Sequence, residues 1–145
     1  MKSIALINIL LVDDSEDDVE FTLRALEKTK LANSVSVVSD GIEAMEFLRK
    51  EGQYASKPTP SLILLDLNMP RKDGREVLVE LKADPQLRKI PVVILTTSQA
   101  EEDIVSSYEL HANCFVSKPV DLDGLIKVVQ RIDDFWFGVV KLPAN

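Results

Sequence analysis

The chain predicts a doubly wound α/β fold: five parallel strands in one sheet, order 2-1-3-4-5, with helices on both faces. Three observations lead there. Short apolar runs of strand length alternate with amphipathic stretches of helical period along the whole chain. The run Ser61 to Leu65 is continuously apolar, as a strand covered on both faces is. It stops at a carboxylate, Asp66, and turn chemistry follows: Asn68, Met69-Pro70 and Asp73-Gly74.

The first strand is expected over Ile7 to Val12. Ser15 with Asp18 three residues on resembles a capping box and opens a helix whose inward stripe includes Val19, Leu23 and Leu26, fraying near Lys30. A short second strand covers Val35 to Val38. Asp40-Gly41 then turns into a helix carrying Met45 and Leu48 inward, with Gly52 as its stop. Gln53 to Pro60 reads as loop, and the third strand ends at Asp66. Arg75 to Ala83 forms the next helix, burying Val77, Leu78 and Leu81, and Asp84-Pro85 ends it. The fourth strand is Pro91 to Thr96. Ser98 with Glu101 caps a helix reaching Leu110, with Ile104, Val105 and Tyr108 inward. The fifth strand is Cys114 to Ser117, and Asp121 caps a last helix from Leu122 to about Val139.

A chain of 145 residues fits one domain, 1–145, that buries roughly two-thirds of the surface its unfolded form exposes. No run approaches the roughly 18 apolar residues of a membrane span. Ile4 to Val12 is apolar, but an acidic run follows it and no small-residue cleavage site appears, so it does not read as a signal peptide. Cys114 is the only cysteine, which excludes an intrachain disulfide and suits a reducing, cytoplasmic setting. The net charge of -7 and the lack of a basic stripe argue against a nucleic-acid partner.

The chemistry gathers at strand ends. Asp13 and Asp14 end the first strand, Asp66 the third, Thr96 the fourth and Lys118 the fifth, so the expected strand order puts them on one edge, around the switch point between strands one and three. Taken alone, Asp66 can equally be a polar residue that merely ends a strand. Three carboxylates so close repel one another and call for a cation. Hard oxygen ligands point to Mg²⁺ (or Mn²⁺), held by few carboxylates and several waters, with a substrate phosphate as a further ligand. One histidine and one cysteine do not make a zinc site.

With these residues in place, the chain resembles a receiver domain of two-component response regulators, which share the flavodoxin-like order. The likeness covers nearly the whole chain and rests on Asp13-Asp14, the stretch LLDLNMPRKDG with Asp66, Thr96 after VVIL, and Lys118-Pro119. It implies a phosphoacceptor rather than an enzyme. By resemblance, Asp66 takes a phosphoryl group from a phosphohistidine on a sensor histidine kinase. Asp14, Asp66 and the main-chain carbonyl of Asn68 hold Mg²⁺, with Asp13 nearby through water, Lys118 pairs with the phosphoryl oxygens, and Thr96 donates to the remaining one. Movement of Thr96 then makes room that Phe115 fills. Phe115 lacks the hydroxyl of the commoner tyrosine, and on sequence alone it also reads as an ordinary core aromatic. Thr97, bulkier than the alanine often found there, is expected to lengthen the phosphorylated lifetime. His111, near a helix end, is expected to be a dipole contact or exposed. Met45 and Met69 read as packing residues.

Within the family, ELHANCFVSKP and the tail FWFGVVKLP are similar to regulators paired with bacterial and cyanobacterial phytochrome kinases, which lack an output domain. The last helix has an apolar arc of roughly 200°, wider than one sheet contact covers. Val128, Ile132, Phe135, Trp136 and Phe137 on it suit a homodimer face, which the resemblance implies runs from the fourth strand to the last helix, or a helix end tucked under its own tail. Three other readings compete. A Mg²⁺-dependent aspartyl phosphatase usually carries a second acid two residues after the nucleophile, where this chain has Asn68. A nucleotide or flavin binder would need a glycine-rich loop after the first strand, where acids stand instead. A phosphorylation-independent binding module is disfavoured by the intact acids, Thr96 and Lys118.

Overall fold

The computed structural model describes residues 7–29, 32–67, 69, 71–96, 114–117 and 123–124. In chain order these form β1 (Ile7–Val12), α1 (Glu16–Thr29), β2 (Ala32–Val38), α2 (Gly41–Leu48), a 3-10 turn (Gly52–Tyr54), β3 (Leu62–Asp66), α3 (Gly74–Ala83), β4 (Val92–Thr96) and β5 (Cys114–Ser117). The strands build one sheet in the order β2-β1-β3-β4-β5, every pairing parallel, as expected from the sequence. The order reverses direction between β1 and β3. No described helix is long and apolar enough to cross a membrane.

The continuous apolar runs are explained by two cores that share each strand. Leu10, Val12, Ile63, Leu65, Val92 and Ile94 point to one face, where α2 and α3 supply Met45, Phe47, Leu48, Val77, Leu78 and Leu81. Their neighbours Ile9, Leu11, Leu62, Leu64, Val93 and Leu95 point to the other, packing with Ala25 and Leu26 of α1 and with Val116. Alternation sends successive side chains to opposite faces, and with helices on both faces both sets must be apolar. Val19 and Leu23 pack on the α1 side, Met69 on the other, and Met45 is buried, as expected.

Helix starts are set by side-chain caps. Ser15 Oγ accepts from the Asp18 N–H at 3.3 Å, which fixes the entry to α1. Thr22, fully buried on α1, is satisfied by donating to the Asp18 carbonyl. In α3, Asp73 accepts from the Glu76 N–H while Glu76 accepts from the Asp73 N–H, both at 3.0 Å. This capping box starts the helix at Gly74, one residue before the expected Arg75.

Further boundaries differ from expectation. β2 begins at Ala32, not Val35, because an edge strand tolerates polar residues: Ser34 is exposed and its hydroxyl donates to Asn8 Oδ1 of β1 at 2.9 Å. α2 stops at Leu48 rather than running to Gly52. Lys50, at φ 57°, takes the left-handed position; its N–H reaches the Phe47 carbonyl (3.1 Å) and the Glu51 N–H the Glu46 carbonyl (2.9 Å), the paired bonds of a Schellman motif. Gly52 instead opens a 3-10 turn that runs into the expected loop and seats Tyr54 with its ring centroid 5.3 Å from that of Phe47. β4 begins at Val92, since Pro91 has no N–H to offer, although its carbonyl still accepts from Ile63.

Candidate functional site

The sheet delivers its carboxylates to one rim. Val12 of β1 is paired with Leu65 of β3, so Asp13 and Asp66 are the next residues along two adjacent parallel strands. The Asp13 N–H continues the ladder on the other side, donating to the Val38 carbonyl of β2 at 3.1 Å. Asp13 Oδ1 accepts from the Ser15 N–H at 3.0 Å, which turns the chain from β1 into α1. Asp13 is 2 % exposed and Asp66 4 % exposed, whereas Asp14 lies open to solvent. One carboxylate oxygen from each of Asp13, Asp14 and Asp66 lies within 4.8 Å of the others.

Three carboxylates in so small a space, two of them buried, raise one another's energy unless a cation intervenes. The donor set fits a hard divalent ion: oxygen ligands only, two from the protein interior and one on an open side where waters can complete the shell. Among the described residues this is the one such group of metal-ligating side chains.

The backbone behind Asp66 is closely packed. The Leu67 N–H reaches the Leu95 carbonyl at 3.3 Å, and the Gly74 N–H closes the following loop onto the Leu67 carbonyl at 3.0 Å. A Cβ on Gly74 would fall 2.5 Å from the Asp66 carbonyl oxygen and 2.8 Å from Leu67 Cα, so glycine here serves close approach. The loop is also tied sideways to α2. The Gly41 N–H donates to the Lys72 carbonyl at 3.0 Å, and Asp40 Oδ2 accepts from Arg71 Nε at 2.8 Å and from its Nη2. Asp40 Oδ1 meanwhile caps α2 by accepting from the Glu43 N–H at 2.9 Å. Burial alone would raise the Asp40 pKa; the Glu43 N–H and the Arg71 guanidinium outweigh it and hold the carboxyl below its ordinary value.

Sequence reasoning placed Asp13, Asp14 and Asp66 together, and they are together. Thr96 ends β4, beside β3 and one residue beyond the Asp66↔Leu95 pairing, which places its backbone on the same rim. Phe115 sits in β5 opposite Ile94. The side chains of Thr96 and Phe115 lie outside the described set, as do Asn68, Thr97, His111, Lys118 and the face Val128, Ile132, Phe135, Trp136 and Phe137. Asp40 and Arg71 were missed as a pair. Asp40 was legible only as a turn residue, and no local pattern announces a partner 31 positions away.

This fold with this rim defines a class. Residues 9–130 match the family described as the response regulator receiver domain, and the chain belongs to that family. Within it the chain is similar to response regulator Rcp1 of Synechocystis sp., 49% identical over 136 residues, which cover 94% of this chain and 92% of that one. Among solved structures it is similar to the phosphorylated cyanobacterial phytochrome response regulator RcpA, with 49% identity and a TM-score of 0.78 over 92% of this chain and 95% of that one. The Mn²⁺-bound form of Rcp1 gives 48% identity and a TM-score of 0.76 over 94% and 99%.

Proposed function

We propose that Asp66 is the phosphoacceptor of a histidine kinase partner and that phosphorylation at the acidic rim is the signal this receiver carries. The observation that bears most weight is the convergence of Asp13, Asp14 and Asp66 within 4.8 Å at the switch point. In the transfer, an Asp66 carboxylate oxygen forms a bond to phosphorus as the P–N bond of the phosphohistidine breaks, and the departing imidazole nitrogen takes up a proton. The transition state is loose, so what the chain contributes is alignment and charge balance rather than covalent chemistry.

Asp13, Asp14, Asp66 and the main-chain carbonyl of Asn68 would hold Mg²⁺ or Mn²⁺, which supplies positive charge to the transferring oxygens. A Mn²⁺-bound relative supports that choice of ion, and a phosphorylated relative supports the acceptor role. Lys118 adds a point charge to the phosphoryl group and Thr96 a hydroxyl donor, with Phe115 following Thr96 as the switch. The chain thus catalyses only its own phosphorylation and dephosphorylation. Likeness to phytochrome response regulators favours a phytochrome-type kinase as partner; the single cysteine suits the cytoplasm, and the apolar residues Val128, Ile132, Phe135, Trp136 and Phe137 suit a homodimer face.

Incubation of the purified chain with acetyl phosphate and Mg²⁺ tests the acceptor role. One phosphoryl group should be gained, labile to hydroxylamine, and lost in Asp66→Asn; a chain that gains none is a binding module instead.

A further inference from the structure

Asp40 and Arg71 belong to neither the acidic rim nor a helix face, yet they join the segments that carry both acidic arms. On the β1 side, the Asp13 N–H is bonded to Val38, two residues before Asp40. On the β3 side, the loop leaving Asp66 is closed by Gly74 onto Leu67 and held at its far end by two contacts to the start of α2. One is the Gly41 N–H on the Lys72 carbonyl, and a Cβ on Gly41 would lie 2.4 Å from that oxygen. The other is Arg71 on Asp40.

Two features separate this pair from an ordinary surface ion pair. The Asp40 side chain is 8% exposed and uses both oxygens, Oδ1 on the helix start and Oδ2 on Arg71. Arg71 keeps a left-handed backbone, φ 65°, a conformation that is unfavourable for a non-glycine residue and persists where contacts enforce it.

We propose that the Asp40–Arg71 pair is a positioning device for the acidic rim: it holds the β3 to α3 loop against the start of α2, and through that corner sets the spacing between Asp13 and Asp66. The proposal rests on reading the rim as a divalent-cation site. Neither residue touches the ion. Both act by fixing how far apart its ligands stand, as groups behind metal ligands commonly do.

Calorimetric titration of the purified chain with MgCl₂, and separately with MnCl₂, tests this on Arg71→Asn, Asp40→Asn, the double variant and Arg71→Lys. Asparagine accepts a left-handed backbone at 71 and keeps a capping oxygen at 40, so each single change removes the pair and little else. Each should weaken cation affinity about fivefold, less than loss of a direct neighbour of a ligand because the Gly41 bond to Lys72 survives. The double variant should be no weaker than either single one, and Arg71→Lys should recover part of the loss. A pair that only stabilises the fold would lower the melting temperature and leave affinity in place; that result, or additive losses in the double variant, overturns the proposal. If the wild-type chain takes up neither cation, the reading of the rim fails and the proposal with it; if the wild type binds and the variants bind equally, only the proposal fails.

Discussion

The bodies and the ends of β1 and β3 obey opposite rules. Within the bodies, Leu10, Leu11, Val12, Ile63, Leu64 and Leu65 are fully buried among other apolar side chains. One residue further on, the same two strands bury Asp13 and Asp66 side by side, with Asp14 next to them. Apolar burial contributes roughly 25 cal/mol per Å² to stability, while clustered buried carboxylates cost stability unless a cation balances them. The body therefore supplies the rigidity that lets an unfavourable rim persist, and the rim is where local chemistry is arranged for function rather than for folding.

This contrast predicts opposite responses to substitution. Leu64→Ala, in the body, should destabilise by about 2 to 5 kcal/mol, because its neighbours on the α1 face cannot fully collapse into the void. Denaturant unfolding measures it, and a loss well below that range would mean the two cores are looser than their burial implies. At the rim the sign reverses. Asp13→Asn keeps the oxygen that accepts from Ser15 but removes a charge, so without divalent ions it should stabilise by about 1 to 3 kcal/mol while abolishing cation-dependent phosphorylation. If instead Asp13→Asn destabilises the metal-free chain, the rim is not strained by repulsion.

Gly74 sharpens the boundary between the two regions, since it belongs to the body by packing and to the rim by contact. Gly74→Ala should cost about 1 to 3 kcal/mol and slow phosphorylation together, because the added methyl displaces the Asp66 backbone. Separation of the two effects would show that Asp66 is positioned independently of α3.

The smallest effect concerns pH. Asp40 has a folded-state pKa below its ordinary value of 3.8, so its contribution is fully present above that value and is lost as pH falls through the folded one. With Arg71 half exposed the contribution should be under about 1 kcal/mol. The stability difference between wild type and Asp40→Asn should therefore shrink as pH is lowered from about 5 to about 3. A difference that is constant over this window would place its origin in something other than the charge.

How much of this was legible in the sequence follows the same division. Strand order and the rim carboxylates were readable, because a buried parallel strand is a continuous apolar run and Asp66 breaks it abruptly. The start of β2 was not, since Ser34 is polar and only its place on an edge strand makes it acceptable there. The end of α2 was placed too late because Lys50, not a glycine, adopts the left-handed turn. The Asp73 and Glu76 capping box was present in the sequence as an acid three residues before another, yet Asp73-Gly74 also reads as a turn, and both descriptions hold. The Asp40 to Arg71 contact had no local signal at all; it exists because β1 lies between β2 and β3 and brings the loops after β2 and β3 to one corner.

The central claim is that one carboxylate at this rim takes up phosphate with the help of a divalent cation. Site mapping of the phosphorylated chain, by borohydride reduction of the acyl phosphate and peptide mass spectrometry after incubation with acetyl phosphate, tests it most directly. The reduced residue should be Asp66 alone, and labelling should vanish when EDTA removes the metal. Labelling at another residue, or labelling that survives the chelator undiminished, would contradict the account.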